Sequence, residues 1–446
     1  MSQLLKRLYN NCDPQQPATA EQYVDTDAVR GDRDLTDQIL AELSHADPGH
    51  YVCFLFSGHV GCGKSSELRH LADKCSSQQL LPVMIDVEEY IEQYDVTPTD
   101  ILLAILAEFS SQLARRGIQL QDTYLHSRLQ ELKELLFSKV QTDGVGIQVA
   151  LPAVTANFKT VLKRDEANRD KVRKALEGQT NSLRAEITRI FDDARVKLRA
   201  NNTYQDFVLI LDGLEKIQRM KGFVEGYATH REFFIERHAQ LTGLGCHVIY
   251  TVPLALVISD GALLQQYYGS PMVLPMIKVE NRNHHRCEPG YSQLKALVQK
   301  RLETGTLLKS TIQDDALEFL IKYSGGHVRL LMSLLRQASV AAKQPPIAMK
   351  DAEDALGPTI EIFGRMPPSY WDKLAALELE PNHQVDNTDD DIRKMLQLTI
   401  ILEYRNGEGA ADRFSARRTW YAVQPIVREL DLFKKALARQ QTPAGA

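Results

Sequence analysis

The sequence predicts an α/β fold with a parallel sheet at its centre, and three observations support this prediction. An apolar run, Val52 to Phe56, leads into the glycine-rich stretch 57–63 and then into a helical sequence. A second apolar run, 207–211, ends in an aspartate. Further strand-like runs alternate with helical stretches along the chain. Strands that are apolar over their whole length suit a parallel sheet with helices on both faces.

The glycine-rich stretch Gly58-His59-Val60-Gly61-Cys62-Gly63-Lys64-Ser65 fits the spacing G-x-x-x-x-G-K-[ST] between a strand and a helix. The glycines let the backbone N–H groups face phosphates, and the helix N-terminus adds positive charge. Lys64 would reach the outer phosphates and Ser65 would bind Mg²⁺. This spacing in this context indicates an ATP site. We assign to the nucleotide the residues Gly58, Gly61, Cys62, Gly63, Lys64, Ser65 and Ser66. The Cys62 thiol is interpreted as a space-filling group, and the side chains of His59 and Ser66 as bystanders.

A phosphate loop predicts a second element, a buried strand that ends in an acid able to hold the metal. The segment DFVLILDGLEKI (206–217) supplies it, with Asp212 as the Mg²⁺ partner. Position 213 is glycine rather than a glutamate that could polarise water, so hydrolysis is expected to be slow or to depend on Glu215. Thr251, near the end of the strand-like run 245–253, could sense the γ-phosphate, or it could cap its strand for local reasons. We therefore predict Glu215, Asp212 and Thr251 as the catalytic set.

The remaining strands and helices follow from the same patterns. A strand that ends at Asp86 is predicted in LPVMIDVEEY (81–90), another strand in SPMVLPMIKV (270–279), and a helix over 98–115. Between that helix and the Asp212 strand lie residues 116–200, more chain than one crossover needs. We interpret them as an insertion with a helix at 125–139 and a small hairpin around Pro152. This hairpin is either packed on the core or a surface for self-assembly or an effector.

Composition limits the classes of partner. The chain has 446 residues with a formal net charge of −5, so no overall basic charge would hold nucleic acid or an anionic membrane. The six cysteines lack paired spacing, which favours reduced thiols. No apolar run approaches the ~18 residues of a spanning helix, and the first residues lack a secretory signal pattern. We expect a soluble, cytoplasmic protein.

The order of motifs resembles that of AAA+ ATPases of the origin-initiator type and of the related STAND signal-transduction ATPases. The resemblance rests on the phosphate loop, LILDGLEK, VIYTVP and YSGGHVRLLMSLLRQA (323–338), and covers roughly residues 25–360. It implies a helical lid in which Arg329, after the pair Gly325-Gly326, touches the nucleotide. It also implies that DAVRGDRDLTDQIL (27–40) lines the adenine pocket, with Arg30 and Gly31 as candidates.

One departure from the AAA+ pattern favours a switch over a rapid hydrolase. AAA+ rings place an arginine after the strand of the Thr251 type to complete the neighbouring subunit's site, whereas 251–281 contains no arginine. Arg231 and Arg237, in HREFFIERHAQL, could act in trans or could form a charged helix face. The motif pattern of this chain is therefore closer to that of STAND switches, in which nucleotide exchange and ordered assembly matter more than turnover.

The C-terminal residues predict a separate small domain. Two helical segments, SYWDKLAALEL and DDDIRKMLQLT, precede the strand-like LTIILEYRNGEG and RTWYAVQPIV. This order resembles a winged helix, which initiator-type ATPases carry at this place. The acidic run 389–391 opens the would-be recognition helix and would repel phosphates. Only the wing is locally basic, through Arg405, Arg413, Arg417 and Arg418.

Four parts of the chain are therefore expected. Residues 1–48 lead into the adenine pocket, 49–285 form the P-loop core with its insertion at 116–200, 286–364 form the helical lid, and 365–446 form the winged-helix-like domain. The favoured function is an ATP-Mg²⁺ switch whose lid closure controls self-assembly as a homo-oligomer and a separate effector protein, in a bacterial defence or stress system by analogy. The alternative is a DNA-binding AAA+ ATPase that loads or remodels nucleoprotein complexes; a metabolic P-loop kinase is disfavoured.

Overall fold

A computed structural model of the chain describes residues 2–31, 34–91, 94–118, 180–201, 203–217, 219–220, 227–302, 305–406 and 418–441. These residues form two compact units. The loop unit contains residues 1–35, 57–70 and 273–446, and the sheet unit contains residues 36–56 and 71–272. Each unit is described by itself.

The strands, in chain order, are β1 (Cys53–Gly58), β2 (Leu80–Asp86), β3 (Tyr94–Val96), β4 (Asp206–Asp212), β5 (Arg219–Met220), β6 (His247–Pro253), β7 (Met272–Leu274), β8 (Ile401–Arg405) and β9 (Thr419–Val423). The main sheet has the order β2-β4-β6-β1-β7. The pairs β2–β4 and β4–β6 are parallel. A parallel pair β3–β5 and an antiparallel pair β8–β9 stand apart from this sheet.

The α-helices, in chain order, are α1 (Gln3–Asn11), α2 (Leu35–His45), α3 (Lys64–Ser77), α4 (Val87–Tyr90), α5 (Pro98–Arg115), α6 (Thr180–Ala200), α7 (Tyr227–Arg231), α8 (His238–Leu241), α9 (Leu254–Tyr268), α10 (Glu288–Arg301), α11 (Gly305–Thr311), α12 (Asp314–Ser324), α13 (Val328–Ala341), α14 (Met349–Asp354), α15 (Gly357–Gly364), α16 (Pro368–Leu379), α17 (Asp390–Gln397), α18 (Pro425–Glu429) and α19 (Asp431–Gln441). Short 3₁₀ turns occupy Asp27–Val29 and Leu214–Lys216, and a π-helical turn occupies Glu232–Glu236. Within the described residues, no helix is both long and apolar enough to cross a membrane.

The core of the sheet unit forms because its central strands are apolar over their whole length. Residues 207–211 of β4 are fully buried, and every residue of β6 is buried. Side chains on both faces of such strands must be covered. Helices α5 and α6 cover one face. There the rings of Phe109, Phe191 and Phe207 pack together with centroids 4.7–5.1 Å apart. The α/β class predicted from the sequence is confirmed.

Local sequence explains where the helices of this unit begin. Helix α5 starts at Pro98, and the Thr97 hydroxyl accepts a hydrogen bond from the Asp100 N–H while the Asp100 carboxylate accepts one from the Thr97 N–H. This reciprocal capping satisfies N–H groups that the first turn leaves without helical partners. The predicted bounds of this helix, 98–115, are those observed.

The core of the loop unit is helical. Buried side chains of α1, α10, α12 and α13 pack together with the segment that follows β7. From α1, Leu5 and Leu8 are fully buried in this cluster. The C-terminal residues form α16 and α17 and then the antiparallel pair β8–β9, the predicted order of two helices and two strands. The winged-helix comparison itself stays a prediction.

Several sequence predictions have a narrower outcome. In the run 81–90 the strand ends at Asp86, as predicted, whereas of 270–279 only Met272–Leu274 pair as a strand. The helix predicted over HREFFIERHAQL is broken into α7, the π-helical turn and α8. The helix at 125–139 and the hairpin around Pro152 lie outside the described residues, as do Arg413 and Arg417. At the end of the expected insertion, α6 is observed.

Replacement of Phe191 by alanine tests the aromatic core. We expect the free energy of unfolding to fall by about 3–5 kcal/mol, because the change removes a buried ring and leaves a cavity. Val196, on the same helix, is 69% exposed, and Val196→Ala should change the free energy by less than about 0.5 kcal/mol. Denaturant unfolding of both variants measures the difference; equal effects would contradict the assignment of the α6 face.

Candidate phosphate-binding site

The phosphate loop has the backbone conformation that its glycines predict. Strand β1 ends at Gly58 and helix α3 begins at Lys64, so strand, loop and helix follow in the predicted order. Gly58, Gly61 and Gly63 have φ values of 149°, 85° and 115°. Residues other than glycine rarely adopt these φ values. A Cβ on Gly58 would lie 2.7 Å from the Leu274 carbonyl oxygen, so close packing also requires this glycine.

Each carbonyl group of the loop accepts a hydrogen bond. The oxygens of Gly58 and His59 accept from Lys64 Nζ at 3.0 and 3.1 Å. The Gly63 oxygen accepts from the N–H groups of Ser66 and Glu67 in the first turn of α3. The carbonyls between them, at positions 60–62, are bonded by other segments of the loop unit, as described below. In a trans peptide the N–H points opposite to the preceding C=O. The N–H groups of Gly61 and Gly63 therefore point to the other side of the loop, as phosphate binding requires.

The N-terminal segment lies along the loop and the first turn of α3. Arg30 is buried; its Nη2 donates to the Cys62 oxygen at 2.7 Å and its Nη1 donates to the Pro275 oxygen. The Ala18 N–H donates to Ser66 Oγ at 3.0 Å. These contacts brace the loop from outside. The predicted roles of Arg30 and Gly31 at the adenine stay predictions.

Ser66 and its neighbour Glu67 also meet this segment. The Tyr23 hydroxyl donates to Glu67 at 2.9 Å, and the Tyr23 ring stacks on His70 with centroids 4.0 Å apart. Burial raises the pKa of the Glu67 carboxyl. Its place in the first turn of a helix favours negative charge there. The side chain of Ser66, interpreted from the sequence as a bystander, is therefore an anchor for the N-terminal segment.

The segment predicted to be the lid contacts the loop through the residues that begin α13. The Arg329 N–H donates to the Gly61 oxygen at 3.1 Å, and Arg329 Nε donates to the Pro14 oxygen at 3.1 Å. His327 Nε2 donates to the Val60 oxygen at 2.8 Å. Burial lowers the pKa of His327 to about 4, so its ring is neutral at physiological pH. The predicted lid arginine lies at the loop, and its role toward a nucleotide stays a prediction.

His59 joins the loop to the C-terminal residues. Its Nδ1 donates to the Leu396 oxygen at 3.0 Å, and its Nε2 accepts from the Glu403 N–H at 2.8 Å. Burial, with smaller contributions from His327 and Lys64, lowers the pKa of His59 to about 3. The neutral ring therefore acts as donor and acceptor at once. His59 and His327 are the residues that the sequence analysis missed: one stood as a bystander inside the motif, and the other went unassigned between the lid glycines and the arginine.

The predicted catalytic residues lie in the sheet unit. Asp212 ends β4 and is followed by Gly213, which has a φ of 92°. The Thr251 hydroxyl on β6 accepts from the Leu214 N–H at 3.0 Å, so it braces the turn after Asp212. Glu215 lies in this turn and is 6% exposed. The structure brings Asp212, Glu215 and Thr251 to one edge of this unit, and their catalytic roles stay predictions.

Another carboxylate stands at this edge, and the two arginines considered for a trans role are paired within the sheet unit. In the β2–β4 register Asp86 stands beside Asp212, and burial raises the pKa of Asp86. Arg231 pairs with Glu236 and with Asp260, and Arg237 pairs with Glu232. These pairs match the charged-face interpretation of the two arginines; the trans role stays untested.

The residues present fit the groups that the motif implies. The three positive-φ glycines give the loop the turn in which the N–H groups of Gly61 and Gly63 point away from the bonded carbonyls, and Lys64 is 4% exposed beside it. In the part of the chain that the structure describes, no three His, Cys, Asp or Glu side chains form a metal cluster. Mg²⁺ at phosphates is commonly held by one or two protein oxygens and the phosphates themselves, so a dedicated cluster is not required.

No family model and no curated protein matches the chain. Solved structures similar to it include the Drosophila ORC bound to DNA, at 11% identity and a TM-score of 0.39, covering 98% of this chain and 92% of that one. The ORC1 protein of Aeropyrum pernix in complex with DNA has 13% identity and a TM-score of 0.35, covering 94% and 96%. The Walker-type ATPase of Pyrococcus abyssi has 14% identity and a TM-score of 0.41, covering 96% and 99%.

Gly61→Ala tests the close approach of lid and loop. An added Cβ would lie 2.6 Å from Arg329 Cβ and 2.7 Å from His327 Nε2. Gly49 has nearly the same φ, 88°, but open space around its Cβ position, so Gly49→Ala controls for backbone strain. We expect Gly61→Ala to lower the free energy of unfolding by about 1–3 kcal/mol more than Gly49→Ala. Denaturant unfolding measures this, and equal losses would show that lid and loop are not packed together.

Acid should destabilise the protein through His59. The unfolded histidine titrates near 6.5, whereas the folded one does so near 3, so between these values the unfolded state binds more protons and stability falls as pH falls. His59→Gln keeps a donor and an acceptor without titrating. Between pH 6.5 and 4 its stability should therefore fall less steeply, by up to about 1.4 kcal/mol per pH unit. Denaturant unfolding across this range gives both slopes, and equal slopes would refute a buried neutral His59. Burial raises the pKa of Glu403 to about 7, so this carboxyl makes stability rise as pH falls. It does so in both proteins and does not affect the comparison.

Proposed function

We propose that this chain is an ATP-binding regulatory switch of the AAA+ and STAND type, in which nucleotide changes the position of the lid. The observation that carries the proposal is that lid and phosphate loop are hydrogen-bonded to each other through His327 and Arg329. A ligand that binds this loop contacts a backbone that is already hydrogen-bonded to the lid. The loop therefore cannot adjust to phosphates without affecting the lid.

Each residue of the site has a role in this proposal. The N–H groups of Gly61 and Gly63 and the α3 N-terminus bind phosphate oxygens, and Lys64 exchanges its two loop carbonyls for phosphate. Ser65 binds Mg²⁺, which would neutralise phosphate charge. On motif order alone, Asp212 is the second Mg²⁺ oxygen and Glu215 the base for slow hydrolysis, with Thr251 orienting water. Arg329 contacts the nucleotide from the lid.

The switch requires that ATP bind one lid position more tightly than another. A ligand with equal affinity for both positions shifts nothing, however tightly it binds. The lid bonds supply such a difference, because the Val60 carbonyl that accepts from His327 belongs to the same peptide group as the Gly61 N–H that meets phosphate. We propose that the new lid position creates or hides a face for self-assembly, and that output passes to a separate partner in a defence or stress system.

The alternative, a DNA-loading ATPase, is less favoured by the C-terminal residues. Asp389 caps α17, accepting from the N–H of Asp391, and pairs with Lys373 at 2.6 Å. Lys373 also pairs with Asp391 at 2.8 Å. The acidic run thus has a local structural partner in Lys373. A duplex at this helix would have to meet carboxylates rather than a basic face.

Assembly in solution tests the switch. We expect the molar mass of the wild type, measured by light scattering, to change with ATP-Mg²⁺ but not with buffer alone. Lys64→Ala should keep one mass in every condition, because it removes the cation that senses phosphate. Lys74→Ala changes the same residue type at the far end of α3, where Lys74 bonds Thr36 and Asp37, and should respond like the wild type.

Two results would contradict the proposal. If no ATP binds to the wild type, the loop is not a nucleotide site. If ATP is consumed while the mass never changes, control by self-assembly is wrong. A rate of hydrolysis that rises with added DNA and falls with salt would then favour the DNA-loading alternative.

A further inference from the structure

Strand β8 meets the phosphate loop at Glu403. In the antiparallel β8–β9 pair, Glu403 stands opposite Tyr421. Its backbone N–H and C=O both bond away from β9: the N–H donates to His59 and the C=O accepts from the Met276 N–H at 2.9 Å. An edge strand must satisfy such outward backbone groups. Here a side chain of the phosphate loop takes the place of a neighbouring strand.

The same strand touches two other segments that flank the loop. The Tyr404 hydroxyl donates to the Gly325 oxygen at 2.6 Å, and a Cβ on Gly325 would lie 2.6 Å from Leu402 Cδ1. The side chain of Arg405 lies 3.0 Å from the Cβ position of Gly31. Consecutive residues of β8 thus contact the glycine pair of the lid, the loop and the N-terminal segment.

His59 is the part of this contact that belongs to the loop itself. On either side of it in the chain, the Gly58 carbonyl accepts from Lys64 and the Val60 carbonyl accepts from His327. A rotation of the loop backbone at this point must either carry the imidazole along or break its bonds to Leu396 and Glu403. Both bonds are made by a buried ring, so water cannot readily replace a lost partner.

We propose that His59 is a positioning residue that couples the phosphate loop to strand β8, so that the C-terminal residues respond to the nucleotide through this side chain. This inference rests on the proposed nucleotide site and names the route by which the site acts on the C-terminal residues. His59 does not touch the nucleotide. It transmits the loop conformation, whereas the lid is held by separate bonds through His327 and Arg329.

Amide hydrogen exchange of the peptide 396–404 tests the coupling, because it contains both partners of His59. Wild type, His59→Gln and His59→Phe are compared with and without ATP-Mg²⁺, and ATP binding is measured separately by calorimetry. Glutamine can donate to Leu396 and accept from Glu403; phenylalanine can do neither. We expect ATP to slow exchange in this peptide about tenfold in wild type and in His59→Gln, and to leave it unchanged in His59→Phe.

His383→Phe is the matched control for simple loss of structure. His383 is also buried, but its Nδ1 lies 3.2 Å from the backbone oxygen of Tyr421, on β9, rather than at an atom of the phosphate loop. The substitution His383→Phe should lower the melting temperature but leave the response of the peptide 396–404 to ATP unchanged. The inference is overturned if His59→Phe responds like the wild type, if His383→Phe loses the response as well, or if ATP binds without any change in 396–404. Failure of the wild type to bind ATP would overturn the proposed function, and this inference with it.

Discussion

The backbone carbonyls of the phosphate loop must each find a hydrogen-bond donor if the loop is to keep the conformation in which its N–H groups can face a ligand. This constraint organises the loop unit. Lys64 donates hydrogen bonds to the first two carbonyls, and His327 and Arg329 donate to the next two. Arg30 donates to the Cys62 oxygen. A buried carbonyl left without a donor costs about 1–3 kcal/mol. Segments from both ends of the chain are therefore held at the loop.

The sequence predicted the parts of this arrangement that are local. The glycine spacing predicted the strand, the loop and the helix, and the apolar run at 207–211 predicted a strand that ends at Asp212; all are confirmed. These features depend on neighbours in the chain, so period and spacing reveal them. Only three residues of the predicted strand 270–279 pair as a strand. Beyond them the chain bonds one residue at a time, as Met276 does with Glu403, and an apolar pattern does not distinguish the two cases.

The parts that sequence reasoning missed depend on partners far along the chain. His59 bonds residues 337 and 344 positions away, and His327 bonds one 267 positions away. A histidine in a variable position of the motif carries no local signal for such partners. The acidic run at 389–391 shows the same limit: its repulsion of phosphate could be predicted, whereas its pairing with Lys373 could not, because the lysine lies on the preceding helix.

The two bonds of His59 set the scale of any coupling between the loop and the C-terminal residues. A net hydrogen bond contributes about 0.5–1.5 kcal/mol, so both together provide about 1–3 kcal/mol. That range corresponds to a change in nucleotide affinity of about 5- to 150-fold, which is typical of coupled sites. The bonds work at physiological pH because burial keeps the imidazole neutral and thus able to accept from Glu403. A protonated ring would donate from both nitrogens and would repel the Glu403 N–H, so the burial that lowers the pKa of His59 is itself what makes the connection possible.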